Sequence, residues 1–253
     1  MLAASEDFLV EAARGEIARV WPKPTIAALC QALDGVFRIA DATWNARRSN
    51  LRYMLEAPAS ACKAGCGWCC HQQVGVSVPE AVRVARHLAE MPAAERDVLT
   101  ARVREVARTT TGMTTGQRAA SKVACPFLGE NGACTIYEAR PLRCRSLHSI
   151  DADFCAACYE DIESMRRKLA AGELRPVYLE TPERIYDSAL AGVVKAVAKL
   201  APKAAVSLEL VAAVAALLDQ PKLAERWLAG ARPDKTLHLV PDAPAKGGKR
   251  PSA

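Results

Sequence analysis

Nine consecutive residues, Cys62-Lys-Ala-Gly-Cys66-Gly-Trp-Cys69-Cys70, carry four thiols, with Gly65 and Gly67 between them. The glycines let the backbone turn tightly and bring its N–H groups close to sulfur. Thiols this dense do not read as packing. They read as soft-metal ligands, and the rest of the chain has to fold so that their shell is completed.

Ten cysteines are present in all. The N-terminus, Met-Leu-Ala-Ala-Ser-Glu-Asp, lacks a cationic segment followed by an apolar one, so no signal peptide is read there. The most apolar later run, Val206 to Leu218, is too short to span a bilayer and contains Glu209. These features predict a soluble, cytoplasmic protein with no membrane partner. In a reducing compartment, clustered cysteines hold metal or do redox work rather than form structural disulfides. The net charge of +6 is spread along the chain, and aromatics make up only 5%. A solvated surface explains this better than a nucleic-acid footprint, so a zinc-ribbon nucleic-acid module is disfavoured.

With 51% apolar residues and few aromatics, the expected fold is mainly α, a helical bundle-like domain with an Ala/Val/Leu core. Residues 1–57 read as N-terminal helices. Ser5 is a candidate cap for the first, Pro22 and Pro24 break it, and a longer helix runs from about Thr25 to Pro58. Cys30 lies on the apolar side of that helix and is assigned to the core. Residues 58–160 form the cysteine-cluster region. Within it, Ser77-Val-Pro-Glu80 has the form of a capping box, and Pro92 opens another helix. Cys125 to Tyr137, with an Asn131-Gly132 turn, predicts one short β-hairpin. Asp151 and Asp153 are candidate caps for a helix carrying Cys155 and Cys158 on one face. Residues 161–231 read as C-terminal helices on the same core, with 207–218 apolar nearly all round, and 232–253 as a disordered tail.

The cysteines after Cys30 fall into three groups: Cys62, Cys66, Cys69 and Cys70; Cys125, Cys134 and Cys144; Cys155 and Cys158. Short spacings supply two ligands from one turn, and a distant segment closes a tetrahedron. Adjacent Cys69 and Cys70 leave the backbone in different directions and are awkward partners for one small ion. One four-coordinate site cannot use nine thiols. Either two sites exist, or several thiols are redox or transit ligands.

The stretch 61–70, then Val74-Gly-Val-Ser-Val-Pro-Glu-Ala-Val-Arg-Val-Ala, then Cys125-Pro-Phe-Leu to Cys144-Arg145, resembles the YkgJ-type cysteine-cluster family. That family is described as a zinc- or iron-chelating domain, and the resemblance covers roughly residues 58–160. It implies that Cys62, Cys66, Cys69, Cys70, Cys125, Cys134 and Cys144 are family cysteines. Cys155 corresponds to a further cysteine of some members, and the resemblance does not place Cys158.

A tetrathiolate zinc site carries a charge near −2, which Arg140, Arg143 and Arg145 are placed in the sequence to offset; equally, they could form ordinary ion pairs. His71 and His148 follow cysteines closely and are candidate ligands or donors to the thiolates, although core or surface histidines are commoner. His87 and His238 are given no role. A glycine-rich phosphate loop, a GxSxG elbow and an HExxH helix are all lacking. The function expected is chelation of zinc or iron by clustered thiolates, as a structural centre or a cargo. The competing expectation is an enzyme with an iron or iron–sulfur centre, which the resemblance supports through the similar cysteine block of flagellin lysine N-methylases.

Overall fold

In the computed structural model residues 6–242 are described, apart from Pro22 and Pro176. In chain order the α-helices are α1 (Glu6–Val20), α2 (Ile26–Arg48), α3 (Leu51–Glu56), α4 (Val78–Glu90), α5 (Ala93–Thr110) and α6 (Thr115–Ala120). They are followed by α7 (Leu142–Ser146), α8 (Ala152–Glu160), α9 (Ile162–Ala170), α10 (Glu180–Leu200), α11 (Leu210–Asp219) and α12 (Leu223–Leu228). The expected mainly α architecture is therefore present. No described helix is long and apolar enough to cross a membrane.

Local chemistry starts these helices where it can. Thr25 accepts a hydrogen bond from Ala28 N at 3.1 Å to open α2. The long helix expected up to Pro58 is interrupted at Ser49–Asn50, because the Asn50 side chain accepts from Tyr53 N and restarts the chain as α3. The Ser77–Glu80 capping box forms as expected, and opens α4. The proposed cap Ser5 and the breaker Pro22 lie outside the described residues.

Apolar residues at three- and four-residue spacing then decide the packing. Leu9, Ala13 and Ile17 of α1 meet α10, which buries Ile185, Ala189, Val193 and Val197. α2 lies between this pair and α4, and α4 packs against α5 and α11. One buried cluster includes residues from Leu9 of α1 through Leu228 of α12, Cys30 among them. The Cys30 thiol is pushed up to about 11 by burial, which makes it an inert core group.

The β-structure differs from the expectation. The turn around Asn131-Gly132 closes only one antiparallel bridge, Leu128 with Cys134, because the Phe127 N–H, which would extend the ladder, is directed to the Cys125 sulfur instead. The two-stranded sheet lies elsewhere: β1 (Gly75–Val76) pairs antiparallel with β2 (Leu208–Glu209), Gly75 opposite Glu209 and Val76 opposite Leu208. It ties the exit of the cysteine loop to the start of α11. Residues 232–242 also depart from the tail reading. His238 bridges Leu208, Leu239 N donates to Ser207 O, and Thr115 N donates to Val240 O. The Pro- and Lys-rich composition masks a short apolar stretch, Leu237-His-Leu-Val240, that continues the sheet edge. Residues 243–253 lie outside the described residues.

Candidate metal centre

The cysteine loop is built from successive tight turns. Cys66 N donates to Lys63 O and Cys70 N to Gly67 O, and residues 68–71 form one 3-10 turn. Its first end is held by Ser149: Ala61 N donates to Ser149 O, and Ser149 N donates to Cys62 Sγ at 3.2 Å. Its last end is held by Cys125 N, which donates to Cys70 O at 2.7 Å.

Between these ends the loop meets the 125–137 turn backbone to backbone. Gly132 has φ +74°, and a Cβ there would fall 2.4 Å from Gly65 O. Gly65, at φ +85°, faces Asn131 O in return. Only paired glycines permit this approach, and it is what brings Cys134 beside the first four thiols.

Cys144 arrives on α7. The α7 start is fixed by Glu80, whose Oε1 accepts from Leu142 N at 2.9 Å while Oε2 accepts from Ser77 N and Oγ. The capping box of α4 thus also places a cysteine helix. Cys155 and Cys158 stand on α8, capped by Asp151, which accepts from Asp153 N and Phe154 N.

The thiols line two neighbouring spaces. A cleft of about 40 Å³ is lined by Cys62, Cys66, Cys69, Cys155 and Cys158, and roofed by Trp68, His71 and Tyr159. A cavity of about 630 Å³ is lined by Cys66, Cys69, Cys70, Cys125, Cys134 and Cys144. Cys66 and Cys69 face both. All eight cysteines singled out from the sequence therefore lie on one of these walls, and Cys158, which had no assignment, joins the smaller set. Among the described residues, however, no three Cys, His, Asp or Glu side chains converge on one point as a ready-made ion site.

Several of these thiols are held in their neutral form. Burial pushes Cys125 and Cys144 up to about 12 and also raises Cys134, Cys66, Cys155 and Cys158. Cys69 is raised first by its hydrogen bond with Cys70; the residue itself keeps open surface, so that bond matters more than burial. Neutral thiols of this kind are poor free nucleophiles. A bound cation would displace their protons, because metal–thiolate bonding outweighs the proton. The donor set is soft and abundant, which fits zinc or iron and not magnesium or calcium.

The basic residues separate by role. Arg145 is buried and donates to Arg140 O, Tyr137 O, Glu138 O and Asp41 Oδ2. Arg143 pairs with Glu183 and Asp187. Neither is free to donate to sulfur. Arg140 stacks over Tyr137, and its charge favours the thiolate form of Cys69, Cys134 and Cys144. His71 lines the small cleft with Nδ1 3.4 Å from Trp68 O. His148 packs against Trp44, and burial lowers its pKa. Tyr178, from the segment between α9 and α10, lines both spaces; no motif or spacing in the sequence marks it.

Residues 61–170 match the CxxCxxCC family model, described as a putative zinc- or iron-chelating domain. This agrees with the resemblance read from the motifs and extends it through α9. No curated protein and no solved structure matches the chain.

Proposed function

We propose that the protein binds zinc or iron through Cys62, Cys66, Cys69, Cys70, Cys125, Cys134, Cys144 and Cys155, a reading supported by the match of residues 61–170 to the CxxCxxCC family model. The observation that supports this most is the folding of three separate cysteine segments onto the two faces of one loop. Two faces suit two coordination groups. Cys62 and Cys155 belong to one; Cys70, Cys125, Cys134 and Cys144 belong to the other; Cys66 and Cys69 stand between them. A bound ion would supply a fixed positive charge there. The chain would supply the ligands and the Ser149 N–H that donates to Cys62 Sγ. The reading places the protein in the soluble cell interior.

The test is elemental analysis of protein purified without oxygen. Zinc or iron in fixed proportion to protein is expected. Cys66→Ser and Cys134→Ser should each lower that content; unchanged metal in both would refute their assignment as ligands. Cys30→Ala should leave the content unchanged, since Cys30 is sealed in the helical core. Iron accompanied by sulfide and a broad visible absorbance would identify the competing iron–sulfur reading, whereas a colourless zinc protein would exclude it.

A further inference from the structure

The larger cavity is far too big for the ions its thiols would hold. About 630 Å³ leaves room for roughly 20 water molecules at about 30 Å³ each, and lies within the range of small-molecule pockets. Water would be poorly satisfied there, because much of the wall opposite the thiols is apolar: Leu190 of α10, Leu210 of α11 and Leu239 after it. Those three residues lie outside the 61–170 segment, so helices beyond the chelating domain close a chamber over its thiols. Lys63 and Tyr137, both exposed, mark where it opens to solvent.

The charge inside the chamber is specific. Of its arginines, Arg143 is satisfied by Glu183 and Asp187, and Lys63 faces solvent. Arg140 lines the chamber and has no ion pair among the described residues. An unpaired guanidinium on the wall of a largely apolar chamber favours an anion there. One unpaired guanidinium balances one negative charge, which a carboxylate carries and a phosphate dianion exceeds.

We propose that this chamber binds a small organic monocarboxylate, its acid group on Arg140 and its apolar body against Leu190, Leu210 and Leu239. The proposal rests on the chelation reading only for what the bound acid would meet. The Arg140 anchor shares the cavity with Cys69, Cys134 and Cys144, so the acid end would lie on the metal side of the chamber.

The test titrates the metal-bearing full chain calorimetrically with decanoate, and with decanol and decyl phosphate as matched bodies. Saturable one-to-one binding of decanoate is expected, at least tenfold tighter than either analogue. Arg140→Met should weaken decanoate at least tenfold with metal content unchanged, and Leu190→Trp should abolish binding by filling the chamber. Arg140→Lys, which keeps the charge but not the fork, gives a second variant should the first fold poorly; it should weaken decanoate severalfold. Three results would overturn the proposal: no saturable binding, equal affinity for decanol or decyl phosphate, or metal loss in Arg140→Met, which would assign Arg140 to the thiolates instead. If the purified chain carried no zinc or iron, the chelation reading would fail while the decanoate titration still decided the acid site.

Discussion

Arg145 shows how a residue placed among cysteines can serve the fold rather than the metal. Its guanidinium lies 4.5 Å over the Phe37 ring and donates to three backbone carbonyls and to Asp41, which also accepts from Tyr186 OH at 2.8 Å. It thereby anchors the turn between Tyr137 and Arg140 to α2 and α10. Lysine keeps the charge but has no planar fork, so it cannot serve carbonyls and carboxylate together. Arg145→Lys should therefore lose about 2–4 kcal/mol of stability in urea unfolding, since buried acceptors are left unmet. Its metal content should stay near that of the native chain once refolded. A change below about 0.5 kcal/mol, the scatter of ordinary surface substitutions, would show that the network is not structural. From sequence the three arginines near Cys144 were equivalent. What distinguishes them is which carbonyls and carboxylates the fold delivers, and spacing holds no record of that.

At the scale of elements, two joints carry predictions. The first is the glycine contact between the cysteine loop and the 125–137 turn. Gly132→Ala would set a Cβ on Gly65 O, with backbone on both sides and no flexible side chain to yield. Stability should fall by about 2 kcal/mol or more, and metal content should fall with it as Cys134 is pushed from the loop. Gly172→Ala is the control. It has a similar φ of +73° but open space around it, and should cost about 1 kcal/mol with metal unchanged. Equal metal loss in both variants would mean that strain and not the contact matters.

The second joint is Glu209, which caps α11 by accepting from Ala212 N and is raised above the ordinary carboxylate range by burial. A raised folded-state pKa means that the native chain binds the proton more tightly than the unfolded chain. Stability from this group is then fully present below the ordinary value and is lost as pH rises toward the folded one. Glu209→Gln keeps an acceptor oxygen and removes the titration. The difference in Tm between variant and native chain should shift in favour of the variant as pH rises from about 4; a pH-independent difference would contradict it. Elements of this local kind were legible beforehand. Ser77 and Glu80 lie three residues apart, so their capping box follows from the sequence alone. Turn chemistry at 125–137 promises a ladder, but the hairpin stops at one bridge because the Phe127 N–H turns to the Cys125 sulfur. The 232–242 edge was missed because its partners, Ser207, Leu208 and Thr115, are remote in sequence.

For the whole molecule, the question is how much of the fold depends on the metal. The buried cluster is made largely by helix faces running from α1 to α12; Cys30 is buried within it, and Cys125 and Cys134 only pack against its edge. The cysteine segments instead lie around open space, joined by turns, the Gly65–Gly132 contact and isolated bridges. Without metal, burial holds the Cys125 and Cys144 thiols up to about 12, so neither carries a buried charge that would drive the region apart. A metal bound only by the native state stabilises it by mass action, about 4 kcal/mol when free metal exceeds Kd a thousandfold. Chelator treatment should thus lower Tm while leaving a folded helical body. In hydrogen exchange, amides of 61–73 and 125–150 should lose protection first, while those of α1, α2 and α10 keep theirs. Uniform loss across the chain would mean that the metal nucleates the entire fold. Unchanged protection in both regions would mean that no metal was bridging these segments. The helical layers could be read from apolar periodicity, and the thiols from their spacing. The chamber between them could not, since Leu190, Leu210 and Leu239 meet the cysteines only after α10 and α11 have packed. That is why a test of regional protection, rather than of global stability alone, separates a metal that organises one face of the molecule from one that holds all of it.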